Sequence, residues 1–239
     1  MNKLKIQIVK LGKQRYNLLF EKLQRYKSNM FEIDIFESNL PDADYGWGYT
    51  FATLSSILNK SYDANNYDLC MGFIDYQIED NLYGKCLDNH HKIYVISFYQ
   101  GVEILKSENI NPFNFMLGSI YRFLCNSIID ETIVHDETRG CLFDMLGNKW
   151  DIIYGATSPI ICTECENKLK SHTIPSDFMF TLNKELKKIR KSRYYVITDF
   201  INGHPYFSLI IAAISGILVS MVANGLYDWI KYMLIAGMN

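Results

Sequence analysis

A chain of 239 residues with 24 Lys+Arg, 26 Asp+Glu and a formal charge of -2 is long enough for one domain plus an appendage. It has no global basic field that would recruit nucleic acid. At 49% hydrophobic, 14% aromatic and 21% charged, it falls outside the disordered class, and its six cysteines are too sparse for a disulfide scaffold. Taken in chain order, Leu4 to Val9 alternates as a strand does. Lys13 to Met30 carries Tyr16, Leu19, Phe20, Leu23 and Tyr26 at helical spacing, and Phe31 to Phe36 alternates again. Tyr49 to Leu58 predicts a helix. Asp68 to Ile74 and Lys92 to Tyr99 predict buried strands, separated by the turn-rich stretch Asp75 to Asn89 with Gly84. Asn109 to Ile129 predicts a long helix with Pro112 in its first turn, and Pro175 opens another over Ser176 to Lys191. Alternating strands and helices make this an α/β domain.

The opening Met1-Asn2-Lys3-Leu4-Lys5 does not read as a signal peptide, so this domain is expected in the cytosol. From Tyr206 to Tyr227 the chain holds no charge (YFSLIIAAISGILVSMVANGLY). As a helix that run rises roughly 33 Å, enough to cross a hydrocarbon core of about 30 Å. Lys184, Lys187, Lys188, Arg190, Lys191 and Arg193 precede it, and only Asp228 and Lys231 follow. This bias orients the span with the N-terminal domain cytoplasmic, and Tyr206, Tyr227, Trp229 and Tyr232 suit the two interfaces. The expectation is a single-pass protein of the inner (plasma) membrane. Its divisions are an α/β domain at 1–174, a basic connecting segment at 175–204, a transmembrane helix at 205–231 and a short non-cytoplasmic tail at 232–239.

His135, Cys141, Cys162 and Cys165 give two ligand pairs separated by a loop, the second a Cys-x-x-Cys. Each pair aims two donors at one point, as a tetrahedral zinc requires, and four protein ligands leave no place for water. The expected zinc is therefore structural. The alternative is a metal-free pair with His135 on the surface. A redox role fits less well, because thioredoxin-like sites have other surroundings. Cys70, Cys86 and Cys125 lie in apolar segments and read as buried thiols.

The stretch GCLFDMLGNKWDIIYGATSPIICTECENKL resembles the end of the archaemetzincin domain, a zincin-fold metallopeptidase family. Cys141 matches the second Cys of that family's first pair, Phe143 stands at its Met position, and Cys162 and Cys165 match its last pair. The family's first Cys falls at Asp136, with neighbouring His135 as the replacement ligand. The resemblance implies a zincin-like fold over roughly 68–169. The family's catalytic His-Glu-x-x-His would fall at Cys125 to Ile129, where the sequence is CNSII. With no paired helical histidines and no glutamate base, the domain is expected to be a degenerate archaemetzincin without peptidase activity.

An inactive cytosolic domain joined to a span is similar in layout to membrane effectors of bacterial antiphage systems such as Hailong and CBASS. That likeness implies a pore- or channel-type effector controlled by a nucleotide or oligonucleotide from a partner nucleotidyltransferase. The alternatives are a passive membrane-anchored adaptor and, last, an active metallopeptidase. The run KELKKIRKSR suits lipid headgroups, at about 1 kcal/mol per cation, or an anionic nucleotide ligand. Ala212, Gly216, Ser220 and Asn224 recur every four residues in the span. They predict close helix packing in a homo-oligomer, or a pore lining; a plain anchor is the alternative.

Overall fold

The computed structural model describes residues 3–46, 48–137 and 140–236. Its contacts divide the chain into two units, 1–191 and 192–239. The first unit is built on β1 (Leu4–Leu11), α1 (Asn17–Gln24), β2 (Phe31–Ser38), β3 (Gly48–Tyr49), α2 (Phe51–Ser61), β4 (Leu69–Ile74), β5 (Gln77–Ile78), β6 (Gly84–Cys86) and β7 (Ile93–Ser97). It continues with α3 (Gly101–Ser107), α4 (Pro112–Ile129), α5 (Ile152–Gly155), α6 (Thr163–Lys170) and α7 (Phe178–Leu186). The main sheet has the order β2-β1-β4-β7-β6. Its first four strands run parallel, and β6 lies antiparallel to β7 at the edge.

The sheet is buried on both faces at its centre, so β4 and β7 are apolar without alternation. One face carries Ile6, Ile8, Met71, Phe73, Tyr94 and Ile96 against α1, α3, α4 and α7. The other carries Val9, Leu11, Cys70, Ile74 and Val95 against Leu54 and Leu58 of α2. Gly72 permits that second contact, since a Cβ there would meet Leu58 Cδ1 at 2.8 Å and Leu11 Cδ1 at 2.9 Å. The outer strand β2 exposes Glu32, Asp34 and Glu37.

Asn111 caps α4 by accepting from Phe113 N at 3.0 Å, with Pro112 in the first turn. Fifteen of the helix's 18 residues are buried. The expected helix over Lys13 to Met30 is shortened at both ends by long-range bonds. Gln14 Nε2 donates to Leu11 O and Phe73 O, and Arg15 N donates to the Asp75 carboxylate. At the other end, Asn29 N and Nδ2 donate to Glu185. The turn-rich stretch holds β5 and β6, and α3 follows an unanticipated turn in which Gln100 has a φ of 61°.

The helix expected over Ser176 to Lys191 is also interrupted. α7 ends at Leu186, Ser158 N donates to Ile189 O at 2.8 Å, and Asn114 Nδ2 donates to Arg190 O at 3.1 Å. Phe178, Leu182, Leu186 and Ile189 are buried. The contacts therefore divide the chain at 191/192, where the sequence reading divides it at 174/175.

The second unit holds α8 (Arg193–Gly203) and α9 (Pro205–Ala236). Within α9, Pro205–Lys231 has a mean hydropathy of 2.2 and is not buried. By length and composition this helix is able to cross a membrane. The side chain of Tyr232 and residues 237–239 of the expected tail lie outside the described residues.

Candidate metal centre

His135, Cys141, Cys162 and Cys165 come together, with one ligand atom from each lying within 4.8 Å of all the others. Two backbone ties bring the first pair to the second. His135 N donates to Phe143 O at 3.3 Å and Met145 N to His135 O at 3.0 Å, which folds 135–145 back on itself. Leu142 N then donates to Ile160 O at 2.8 Å, and Ile160 N to Gly140 O at 3.0 Å. Cys162 sits at the N-cap of α6 and Cys165 in its first turn, so both sulfurs face the same point.

The donor geometry fits zinc. In a tetrahedral site with Zn–S near 2.3 Å, neighbouring ligand atoms lie about 3.7 Å apart. Here Cys162 Sγ is 3.7 Å from His135 Nε2; the Cys162 backbone N–H donates to Cys141 Sγ at 3.5 Å and ties the two pairs together. His135 Nδ1 is 3.0 Å from Glu137 O, which fixes the tautomer that leaves Nε2 for a metal. Burial pushes the thiols of Cys141 and Cys165 up from their ordinary range. At Cys162 burial acts the same way, but hydrogen bonds from the Cys165 and Glu164 N–H groups and the neighbouring thiols outweigh it and bring that thiol down.

Two further residues support the centre. Asp144 is buried; its Oδ2 accepts from Cys141 N at 3.0 Å and its Oδ1 lies 3.4 Å from His135 Nε2. Arg122 of α4 donates through Nη1 to Asp144 O at 2.8 Å. Burial disfavours the Arg122 charge, while Asp144 and the thiols of Cys141 and Cys165 favour it. Sequence reasoning missed both. Asp144 has a faint signal, three residues after a ligand, whereas Arg122 has none.

Cys125 to Ile129 forms the last turns of α4. Between α4 and the edge strand β6 lies a hollow of about 280 Å³ lined by Gly84, Cys86, Tyr94, Arg122 and Asn126 among others. None of its described lining residues is His, Asp or Glu. His91 is held by Asp130 at 3.3 Å and Thr132 at 3.0 Å, away from the four-residue cluster. Cys70 and Cys125 are buried as expected, and Cys86 is half-buried. Of the basic run, Lys184, Lys187, Lys188, Arg190 and Arg193 are exposed and Lys191 is half-buried. Lys188 Nζ pairs with Glu185 at 2.9 Å. Ala212, Gly216, Ser220 and Asn224 all lie exposed along α9.

No family model matches this chain, and no curated protein does. It has a distant structural similarity to archaemetzincin from Archaeoglobus fulgidus, crystallised with malonate. The two are 14% identical with a TM-score of 0.43, over 69% of this chain and 99% of that one.

Proposed function

We propose that this protein is a membrane-anchored, catalytically inert domain braced by a structural zinc, which acts as a pore- or channel-type effector. His135, Cys141, Cys162 and Cys165 hold the zinc, whose bound charge cross-links the 135–145 fold to α6. The observation that carries this reading is a contrast of donors. One cluster offers a closed set of four ligands, while the hollow beside α4 has, among its described lining residues, a single Cys and no His, Asp or Glu to complete or activate a hydrolytic zinc. α9, apolar all round and unburied, supplies the span, and its small residues supply the homo-oligomeric contact. A nucleotide or oligonucleotide ligand sets the state of the assembly, in the manner of the antiphage effectors whose layout it resembles. Membrane potential in cells expressing the protein tests this. Depolarisation that disappears when α9 is replaced by an unrelated span supports the effector; an unchanged potential in every ligand state supports the passive adaptor. Cleavage of casein that a chelator abolishes would overturn the inert assignment.

A further inference from the structure

α8 is an 11-residue helix whose aliphatic residues gather on one side, although its overall amphipathicity is weak. At 100° per residue, Tyr194, Val196, Ile197, Phe200 and Ile201 fall within an arc of about 160°. All five are 43–71% exposed. Tyr195, Thr198, Asp199 and Asn202 occupy the opposite side, and Arg193 opens the helix within the apolar arc. Within the second unit, Phe200 alone of these five has a ring contact with the corner leading into α9, so most of that side is left open.

Continuity with α9 identifies the cover. Only His204 separates the two helices. Its ring stacks on Phe200 at 4.8 Å, and Phe200 meets Phe207 edge-on at 5.9 Å, so the corner is aromatic. Ser208 Oγ donates to His204 O at 3.0 Å and stabilises the start of α9. If α9 enters a bilayer near Pro205, all of α8 lies within roughly 16 Å of chain rise from that entry point. Arg190, Lys191 and Arg193 gather at its N-terminal end in the sequence, matching anionic headgroups in charge.

We infer that α8 is an interfacial helix, lying along the cytoplasmic lipid surface with Val196, Ile197, Phe200 and Ile201 sunk at the boundary between headgroups and acyl chains. The sequence reading ran this segment straight into the span; the break at His204 instead makes it a separate, surface-lying element. The inference rests on α9 being the span, and the experiment separates the two.

The full chain, with Trp47, Trp150 and Trp229 all replaced by Phe so that each introduced Trp is the sole emitter, is reconstituted in vesicles of phosphatidylcholine and phosphatidylglycerol carrying brominated lipids. Leu218→Trp reports the centre of α9, Phe200→Trp the apolar side of α8, and Asn202→Trp its polar side. Lipids brominated near the headgroup should quench Phe200→Trp about threefold more than Asn202→Trp. Ile197→Trp, on the same side, should behave as Phe200→Trp does and guards against one misfolded variant. Leu218→Trp should be quenched best by bromine deep in the acyl chain. Equal quenching at 200 and 202 overturns the interfacial helix. So does shielding of both Phe200→Trp and Ile197→Trp from bromine and from aqueous iodide, since that places α8 against protein, including a second copy. An unquenched Leu218→Trp overturns the span itself.

Discussion

Cys165 contributes a sulfur from the first turn of α6, and no neighbouring side chain replaces it within the four-residue cluster. Cys165→Ser should therefore abolish tight metal binding. Because apparent binding energies of structural zinc are about 10–16 kcal/mol, it should also destabilise the domain severely. Elemental analysis of purified protein, one zinc per chain falling to none, and calorimetry check this. Full metal content in the variant would refute the ligand assignment. Glu185 offers a pH-linked test. Burial pushes its carboxyl up, but hydrogen bonds from Tyr121, Lys188 and Asn29 N outweigh that and hold it below the ordinary 4.5. A carboxylate depressed on folding contributes stability that is complete above its unfolded value and is lost as pH falls through the folded one. Stability should thus drop below about pH 4.5. Glu185→Gln should lower stability at pH 7 by about 1–2 kcal/mol and flatten that acid limb. Thermal melts from about pH 3 to about pH 7 measure both effects.

Between elements, α9 makes the clearest demand. A four-residue step turns about 400°, so the stripe drifts about 40° per step and only Ala212, Gly216 and Ser220 form a contiguous face. Gly216→Leu should split the proposed oligomer and abolish depolarisation, read by sedimentation in detergent and by a voltage dye. An unchanged oligomer would refute the interface. The sequence marks elements well where burial imposes a period: β1, β2, β4 and β7 and the long α4 were all legible. Helix ends were not, because distant partners set them. Gln14 is tied to Phe73 O, Arg15 to Asp75, and Asn29 to Glu185. The Cys/His cluster was legible because each pair is local. Arg122 was not, since only the packing of α4 beside Asp144 gives it a role.

For the whole molecule, the division at 191/192 makes a separable claim. A protein ending at Lys191 should be soluble without detergent, keep its zinc and melt cooperatively, as checked by gel filtration, elemental analysis and calorimetry. One ending at residue 174 should aggregate, because it strips Phe178, Leu182, Leu186 and Ile189 from the core. The outer strand β2 matters once such molecules share a surface. Anchored proteins are crowded into a plane, where an unpaired strand invites the next molecule to extend the sheet and grow without limit. Glu32 and Glu37 on β2, paired with Lys3 and Lys10, and Asp34 line that edge with charged side chains, which suit water better than a neighbouring strand. Growth by strand addition is thereby discouraged, so the oligomer proposed above would rest on contacts that close on themselves at a fixed number of subunits.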